Sequence, residues 1–518
     1  MSAAPERSPA PTDLRDHKGL SEGSLGLTGA VVVGLASVAP AYSLAATLGY
    51  VVIENGVLAP IAVILGFIPM LLTAYGYREL NKVIPDCGTT FTWVTKAFGP
   101  RTGWFGGWVL TISGIIVLAN LAQVAAQYSY LLVGADDLAD STFWVTALGV
   151  GFIAVMCYVS YRGIEIAAWL QNVLVAIQYL ALSILVVVAL VAVSGAGRPG
   201  TAIAIEAGWF NPLNFFAEGG GGFSSMVEGM LLMVFIYWGW DTILSLNEET
   251  KDKDKTPGRA ALLATVILLA TYLLTTVAAV SYAGVGENGI GLGNEDNAGD
   301  VFRAISEPLL GGWNWIVLLA VLISAASSTQ TTILPAARGT LAMGVYRALP
   351  KSFAAVHPRF LTPTTSTLTI GGLGIAIFVS LSALGENVYG DVLLALGLQI
   401  SVYYGLTAFA CVYYFRADIA RGGRDLWFKG VLPLVGGLIL AFAFVWSAID
   451  MWQPDYGYLG GWTVPILGVE VGSVFLLGVG SIVLGLPVMF LVSRLTEQKA
   501  FFRGESLHAG TPVLAPED

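Results

Sequence analysis

Gly34-Leu35-Ala36-Ser37-Val38-Ala39-Pro40-Ala41-Tyr42-Ser43 lies inside an apolar block near residues 25 to 50. A bilayer core about 30 Å thick needs about 20 apolar residues at the helical rise, so a block of this length reads as a membrane span. Pro40 falls near its middle. Proline removes a helical hydrogen bond and clashes with the preceding turn, so this span is expected to break partway across the bilayer.

Working outward, eleven more blocks qualify, near 58 to 77, 104 to 133, 142 to 161, 166 to 194, 223 to 247, 258 to 284, 313 to 346, 362 to 384, 388 to 415, 429 to 450 and 464 to 493. Each must be helical, because open chain in hydrocarbon leaves backbone N–H and C=O groups unpaired. The expectation is an all-α membrane protein with 12 transmembrane helices. Composition agrees: of 518 residues 56% are hydrophobic and 12% charged, against roughly 25% charged in an average soluble domain. A net charge of -10 argues against nucleic acid as a partner, since phosphate binding needs clustered Lys and Arg. Cys87, Cys157 and Cys411 are far apart and form no metal or disulfide spacing. No cofactor motif is present; Gly219-Gly220-Gly221-Gly222 lacks the Lys-Ser or Lys-Thr of a phosphate loop and reads as a flexible lead into the sixth span.

Lys and Arg near span ends stay on the cytoplasmic side, and 23 of the 25 here fall in the tails and alternate loops of one side. Only Arg198 and Arg303 fall on the other, whose loops carry Glu54, Asp136, Asp137, Asp140, Glu287, Glu295, Asp296 and Asp300. Both termini are therefore expected in the cytoplasm of a multi-pass protein of the plasma membrane. The Pro-rich polar stretch 1–24 reads as a disordered N-terminal tail with no removable signal peptide, and the tail after Arg494 also reads as disordered.

The sixth block contains Phe235-Ile236-Tyr237-Trp238-Gly239-Trp240-Asp241, which brings aromatics, a glycine and a carboxylate together. Taken singly, Pro40 reads as a kink and Gly239 as a close packing point. Interruptions in corresponding spans of two halves point instead to a binding site where broken helices meet. Asp241 and Glu228 are the acids well within this span, and a carboxylate at membrane depth is a functional candidate by default. Asp241 follows the break, where it can bind an ammonium, carry a proton or cap a broken helix. Glu228 lies about 20 Å earlier on a continuous helix and reads as solvated near the outer mouth, as Glu470 reads as interfacial. Tyr237, Trp238, Trp240, Tyr403 and Tyr404 are candidate gates over a substrate. An intramembrane enzyme would need a nucleophile and base or a ligand cluster at membrane depth; His17, His357 and His508 all lie outside the spans. A channel would carry a filter-like loop or a ring of charge, and none is visible; a membrane channel or a non-transporting sensor is the alternative of a different class.

Between the second and third blocks runs Tyr77-Arg78-Glu79-Leu80-Asn81-Lys82-Val83-Ile84-Pro85-Asp86-Cys87-Gly88-Thr89-Thr90-Phe91, then Ala97-Phe98-Gly99-Pro100 and Gly106-Gly107-Trp108. Further pieces are Arg162-Gly163-Ile164 with Gln171-Asn172, Asn247-Glu248-Glu249-Thr250 with Pro257 and Arg259, and Ala337-Arg338 leading to Leu349-Pro350, His357-Pro358-Arg359 and Thr362-Pro363. In order and spacing these resemble the amino acid-polyamine-organocation superfamily, from about Leu25 to Arg494.

The resemblance implies a leucine-transporter fold: a 5+5 inverted repeat with broken helices 1 and 6, plus two additional helices. The corresponding layout is a tail over 1–24, helices 1–5 over 25–194, an extracytoplasmic loop over 195–222, helices 6–10 over 223–415, helices 11–12 over 416–493 and a C-terminal tail over 494–518. It also implies a secondary transporter of amino acids or related amines working by alternating access, with polyamines or small organic amines as the alternative substrates and no enzymatic chemistry. By motif, substrate is expected at Val38, Ala39, Pro40, Ala41 and Tyr42 and at Ile236, Tyr237, Trp238 and Gly239, with Asp241 beside them. Half-helix N-termini suit a carboxylate and freed carbonyls an ammonium. Relatives commonly carry Gly-(Ser/Thr/Ala)-Gly where this chain has Ala39-Pro40-Ala41, and proline offers no N–H. Many proton-coupled relatives place a lysine where this chain has Gln178, which does not titrate. Ser327 and Ser328 resemble the hydroxyl pair of sodium-coupled cousins, or serve as small packing residues. Sodium, a proton or the substrate's own charge are thus the coupling candidates, and Pro40 with Asp241 favours an amine-bearing or cationic substrate.

Overall fold

Backbone breakers decide where the helices of this chain stop. The computed structural model describes residues 18–195, 199–385, 388–457, 459–464 and 468–514. Among these, ten helical stretches are long and apolar enough to cross a membrane. Two features reduce the expected twelve blocks to ten. The first two blocks merge into one run, Leu27–Val83, and the sixth contributes only a 15-residue helix, Gly222–Ile236, because its break comes early.

The run Leu27–Val83 comprises α1 (Leu27–Val38), α2 (Pro40–Asn55) and α3 (Ala59–Val83). Ala39 separates α1 from α2 in the left-handed conformation, φ 53°, and Pro40 opens α2, where a missing N–H removes no helical bond. A short helix α4 (Thr90–Phe98) precedes α5 (Pro100–Leu132). There follow α6 (Asp136–Ala139), α7 (Thr142–Arg162), α8 (Ile164–Ser194) and α9 (Gly222–Ile236). After the break come α10 (Thr242–Ser245), α11 (Thr256–Ala283), α12 (Val301–Leu310), α13 (Trp315–Val345), α14 (Thr364–Ser382) and α15 (Val388–Tyr414). The last two membrane stretches are Gly423–Asp450 and Ser473–Arg494.

Burial sorts these helices into inner and outer ones. The most apolar windows of α5 and α15 are 83% buried and that of α13 is 78%, whereas those of α7 and Ser473–Arg494 are 22% buried. The first set forms the core of the molecule; the second presents its apolar side chains outward, as lipid contact requires.

Three expectations need correction. The final block begins at Ser473 rather than 464, because β1 (Gly461–Val464) pairs antiparallel with β2 (Val469–Gly472). The apolar content of this hairpin mimics the start of a span, and Glu470, opposite Thr463, is exposed on it. The fold is therefore all-helical in its membrane part but carries one two-stranded sheet among the described residues. Next, residues 18–24 of the supposedly disordered N-terminal tail are ordered, with Lys18 and Leu20 buried. Last, the chain after Arg494 is not loose: it forms a short helix, Lys499–Phe502, and buries Phe501 and Leu507 completely. Residues 1–17 and Arg198 lie outside the described residues.

Candidate functional site

The two breaks meet. Gly239 has φ 117°, a conformation glycine adopts without penalty, and a Cβ built on it would lie 2.8 Å from the Ser37 carbonyl carbon and 2.9 Å from the Val38 nitrogen. The backbone after α9 is thus pressed against the end of α1. Hydroxyl groups bind the same junction: Ser37 Oγ and Thr242 Oγ1 are 2.7 Å apart, Ser43 Oγ donates to the Val38 carbonyl at 2.7 Å, and Ser328 Oγ donates to the Ser37 carbonyl at 2.8 Å. The hydroxyl of Tyr272 on α11 donates to the Ile236 carbonyl at 2.6 Å, so that freed carbonyl already has a partner.

A cavity of about 30 Å³ lies at the junction, above the roughly 10–15 Å³ that one water needs. Val38, Tyr42, Trp238, Gly239 and Asp241 line it, together with Ser37, Ser43, Thr242, Ser328, Tyr403 and one face of α5. Asp241 is 5% exposed and holds no ion pair among the described residues; the hydroxyls of Tyr404 and Tyr403 donate to its two oxygens at 2.7 and 3.2 Å. Its side chain does not cap α10. The Trp238 indole N–H in turn donates to the Tyr403 hydroxyl. One chain of bonds therefore joins indole, phenol and carboxylate along the cavity wall.

The sequence-predicted residues divide here. Ala39, Pro40, Ala41, Ile236 and Tyr237 belong to the breaks but do not line the cavity. Tyr237 turns its hydroxyl to the Val63 carbonyl on α3, 3.2 Å away. At the N-terminus of α2, the Tyr42 N–H is taken by Ser324 Oγ at 3.1 Å. Ser327 and Ser328 diverge: Ser328 faces the α1 carbonyl, whereas Ser327 Oγ donates to the Ser324 carbonyl at 3.1 Å and meets the Gln178 amide at 3.5 Å on α8. Thr242, Ser43 and Ser37 were not singled out from sequence. Each carries only a small hydroxyl, which becomes significant once the helix ends around it are in place.

Beyond the cavity the two sides of the molecule differ. The Tyr42 hydroxyl, on the cavity, donates at 2.5 Å to Asn120 Oδ1. Asn120 lines a second, far larger cavity of about 990 Å³ between α2, α5, α12 and α15. Its polar wall includes Gln123, Gln127, Asp140, Glu295, Asp296 and Asp300, with Arg303 the single cation among the described residues that line it. Arg303 pairs with Asp140 at 3.2 Å, and Asp300 accepts from the Tyr128 hydroxyl. Burial pushes the Asp300 carboxyl up to about 6.

The opposite side is sealed. Lys18 bridges Asp86 at 2.8 Å and Glu248 at 2.6 Å, and Arg338 on α13 grips Glu249 at 2.5 and 2.9 Å in a two-pronged pair. Burial alone would lower the Lys18 pKa, but the facing carboxylates of Asp86 and Glu248 hold it well above its ordinary value, so the ammonium stays charged. Lys18 thus ties the N-terminal segment to Asp86 and to the acids after the sixth span, forming an ion-paired plug.

Comparison with known proteins agrees with this architecture. The family model described as amino acid permease matches residues 25–474. An uncharacterized transporter of Mycobacterium tuberculosis is 28% identical over 449 residues, covering 85% of this chain and 90% of the relative. A branched-chain amino acid permease of Lactococcus lactis is 24% identical over 400 residues, 74% of this chain and 79% of the relative. The large neutral amino acids transporter small subunit 2 of Homo sapiens is 24% identical over 439 residues, 81% and 74% respectively.

Proposed function

The chain belongs to the amino acid permease family, and on that premise we propose that it is a secondary transporter moving amino acids or related amines across the plasma membrane by alternating access. The single observation that carries this reading is the junction of two helix breaks around a cavity walled by Asp241, Trp238 and Tyr403. The large polar cavity on one side and the ion-paired plug on the other support a molecule open outward and closed inward. The relatives' names, as permeases and amino acid transporters, support the substrate class.

In this reading the twelve blocks are twelve spans, α1 to α15 contain two inverted sets of five, and both termini are cytoplasmic, as the Lys and Arg asymmetry supports. Val38 and Tyr42 on one side and Trp238, Gly239 and Asp241 on the other enclose the substrate; Ala39, Pro40, Ala41, Ile236 and Tyr237 shape the breaks. The substrate ammonium pairs with Asp241 by displacing the Tyr403 hydroxyl, and the loss of that bond frees Trp238 to swing. A cavity of about 30 Å³ is too small for an amino acid, so this swing makes the room.

Transport does not depend on sodium in this reading. Ser327 and Ser328 point to different helices, and Gln178 meets Ser327 where a charged side chain or an ion would otherwise sit. Thermal unfolding of the purified protein with amino acids, polyamines and small amines, with sodium or choline, tests the substrate and the coupling together. Ligands that bind only the native state raise its stability by mass action. We expect amine-bearing ligands to stabilise the wild type equally in both salts and to leave Asp241→Asn unchanged. Stabilisation confined to sodium refutes the coupling; stabilisation of Asp241→Asn refutes the site.

A further inference from the structure

The C-terminal segment after Arg494 has no part in the reading above, yet it is fixed to the plug. Lys18 donates to the Leu514 carbonyl at 2.9 Å, across 496 positions of sequence. The Leu514 N–H donates to the Tyr346 hydroxyl at 3.3 Å, that hydroxyl donates to Asp86 Oδ2 at 2.7 Å, and Asp86 Oδ2 accepts from Lys18 at 2.8 Å. These four groups close a ring. Lys96 on α4 holds the same segment from the side, donating to the Thr511 carbonyl at 2.5 Å. Upstream, Phe501 and Leu507 are wholly buried against Leu20, Cys87, Phe91 and Met343, and the Gln498 amide donates to the Leu349 carbonyl at 3.1 Å.

The ring joins parts that inward opening must separate. Lys18 belongs with the sixth-span segment: it pairs with Glu248, and a few residues on, Leu25 N–H donates to the Glu249 carbonyl at 3.0 Å while Lys251 N–H donates to the Leu25 carbonyl at 2.8 Å. Asp86, Tyr346 and Lys96 belong to the other body, made of the α3–α4 connection, α4 and the end of α13. If the broken helices are the moving parts, Lys18 and Glu248 leave with them and Asp86 remains. Among the described residues Leu514 carries the bond from the tail to the moving ammonium, while Phe501 and Leu507 share a buried cluster with Leu20 of the moving segment and with Cys87, Phe91 and Met343 of the stationary body.

We propose that residues 498–514 form an autoinhibitory strap, which latches the cytoplasmic side shut through the Leu514 carbonyl on Lys18 and must release before the transporter can open inward. The inference rests on the alternating-access reading for its effect on rate, but not for its effect on access. The strap is anchored on Cys87, Phe91 and Met343, which need not move, and latched by the polar contacts at Lys18 and by the packing on Leu20, which must part. Its stationary part is therefore separable from its latch.

Cys87 serves as a reporter, since it lies wholly buried beneath the latch, with its N–H on Glu248 at 2.8 Å. The test uses the full chain carrying Cys157→Ala and Cys411→Ala, reconstituted in proteoliposomes. It is compared with the same protein lacking residues 509–518, a deletion that spares Phe501 and Leu507. Lys96→Met provides a second variant with every residue of the segment retained. Measured are the rate at which a maleimide applied to the cytoplasmic face labels Cys87, and the initial rate of uptake of the amine found in the ligand screen. Both are expected to rise about two- to tenfold in each variant, the factor set by the net value of the hydrogen bonds removed. Unchanged or slower labelling in both variants shows the tail to be packing alone and overturns the proposal. So does faster labelling with unchanged or slower uptake, which makes the strap a cover without control. A full chain that transports no amine refutes the transport reading instead, and Cys87 labelling alone then decides the latch.

Discussion

Gly239→Ala is the smallest change that interrogates the meeting of the two breaks. Two costs arise, and both follow from geometry. A φ of 117° is a region that side chains other than glycine rarely adopt, and holding a residue there costs about 1–3 kcal/mol. The new methyl carbon would also sit 2.8 Å from the Ser37 carbonyl carbon and 3.0 Å from its oxygen. Those are backbone atoms, which cannot rotate aside, so overpacking adds about 1–3 kcal/mol. Together they amount to about 2–6 kcal/mol against the conformation in which the breaks touch. At 1.4 kcal/mol per factor of ten, that depopulates it by roughly thirtyfold or more. Uptake in proteoliposomes should fall by at least that factor, and the unfolding temperature should drop, while the protein remains membrane-inserted and monodisperse. Wild-type uptake with an unchanged unfolding temperature would show that the breaks do not need this contact in any functional state.

Two further outcomes follow from the charged groups. Glu249→Gln strands the buried Arg338 guanidinium and should destabilise the protein by about 3–5 kcal/mol. Arg338→Met with Glu249→Gln should cost clearly less than the sum of the single changes, and additive losses in thermal unfolding would mean that the pair is not coupled. Cysteines placed at Asp137 and Asp296 should react with an impermeant thiol reagent in intact cells, and one at Lys255 should not; labelling at Lys255 alone would reverse the orientation.

The breaks were legible because proline and glycine act locally. Pro40 cannot donate a helical bond and so favours the first position of a new helix, and Gly239 announces a backbone that needs freedom. The cation asymmetry is likewise a property of short segments. Contacts that depend on folding were not legible. Tyr403 and Tyr404 stood out as aromatics, but nothing near residue 403 indicates that their hydroxyls meet Asp241, 162 and 163 positions away. The divergence of Ser327 and Ser328 is a matter of helix rotation: neighbours on a helix point about 100° apart, so one faces α1 and the other α8. The tails misled for a related reason. Their polar composition cannot build a core alone, yet Phe501 and Leu507 find one ready-made on the body of the protein. The strand pair Gly461–Val464 and Val469–Gly472 was hidden by its own apolar residues, whose alternation is too short to stand out beside a membrane span.

The contact between Tyr42 and Asn120 gives the molecule an uneven resistance. The phenol of Tyr42, on the inner cavity, donates to the amide of Asn120, on the wide polar basin, and that amide donates in turn to the Tyr389 carbonyl. On the far side, two ion pairs on Lys18 and a ring of hydrogen bonds through Asp86, Tyr346 and Leu514 close over one another. If the protein alternates access as proposed, the inner side, with more contacts to break, is the slower to open and sets the throughput.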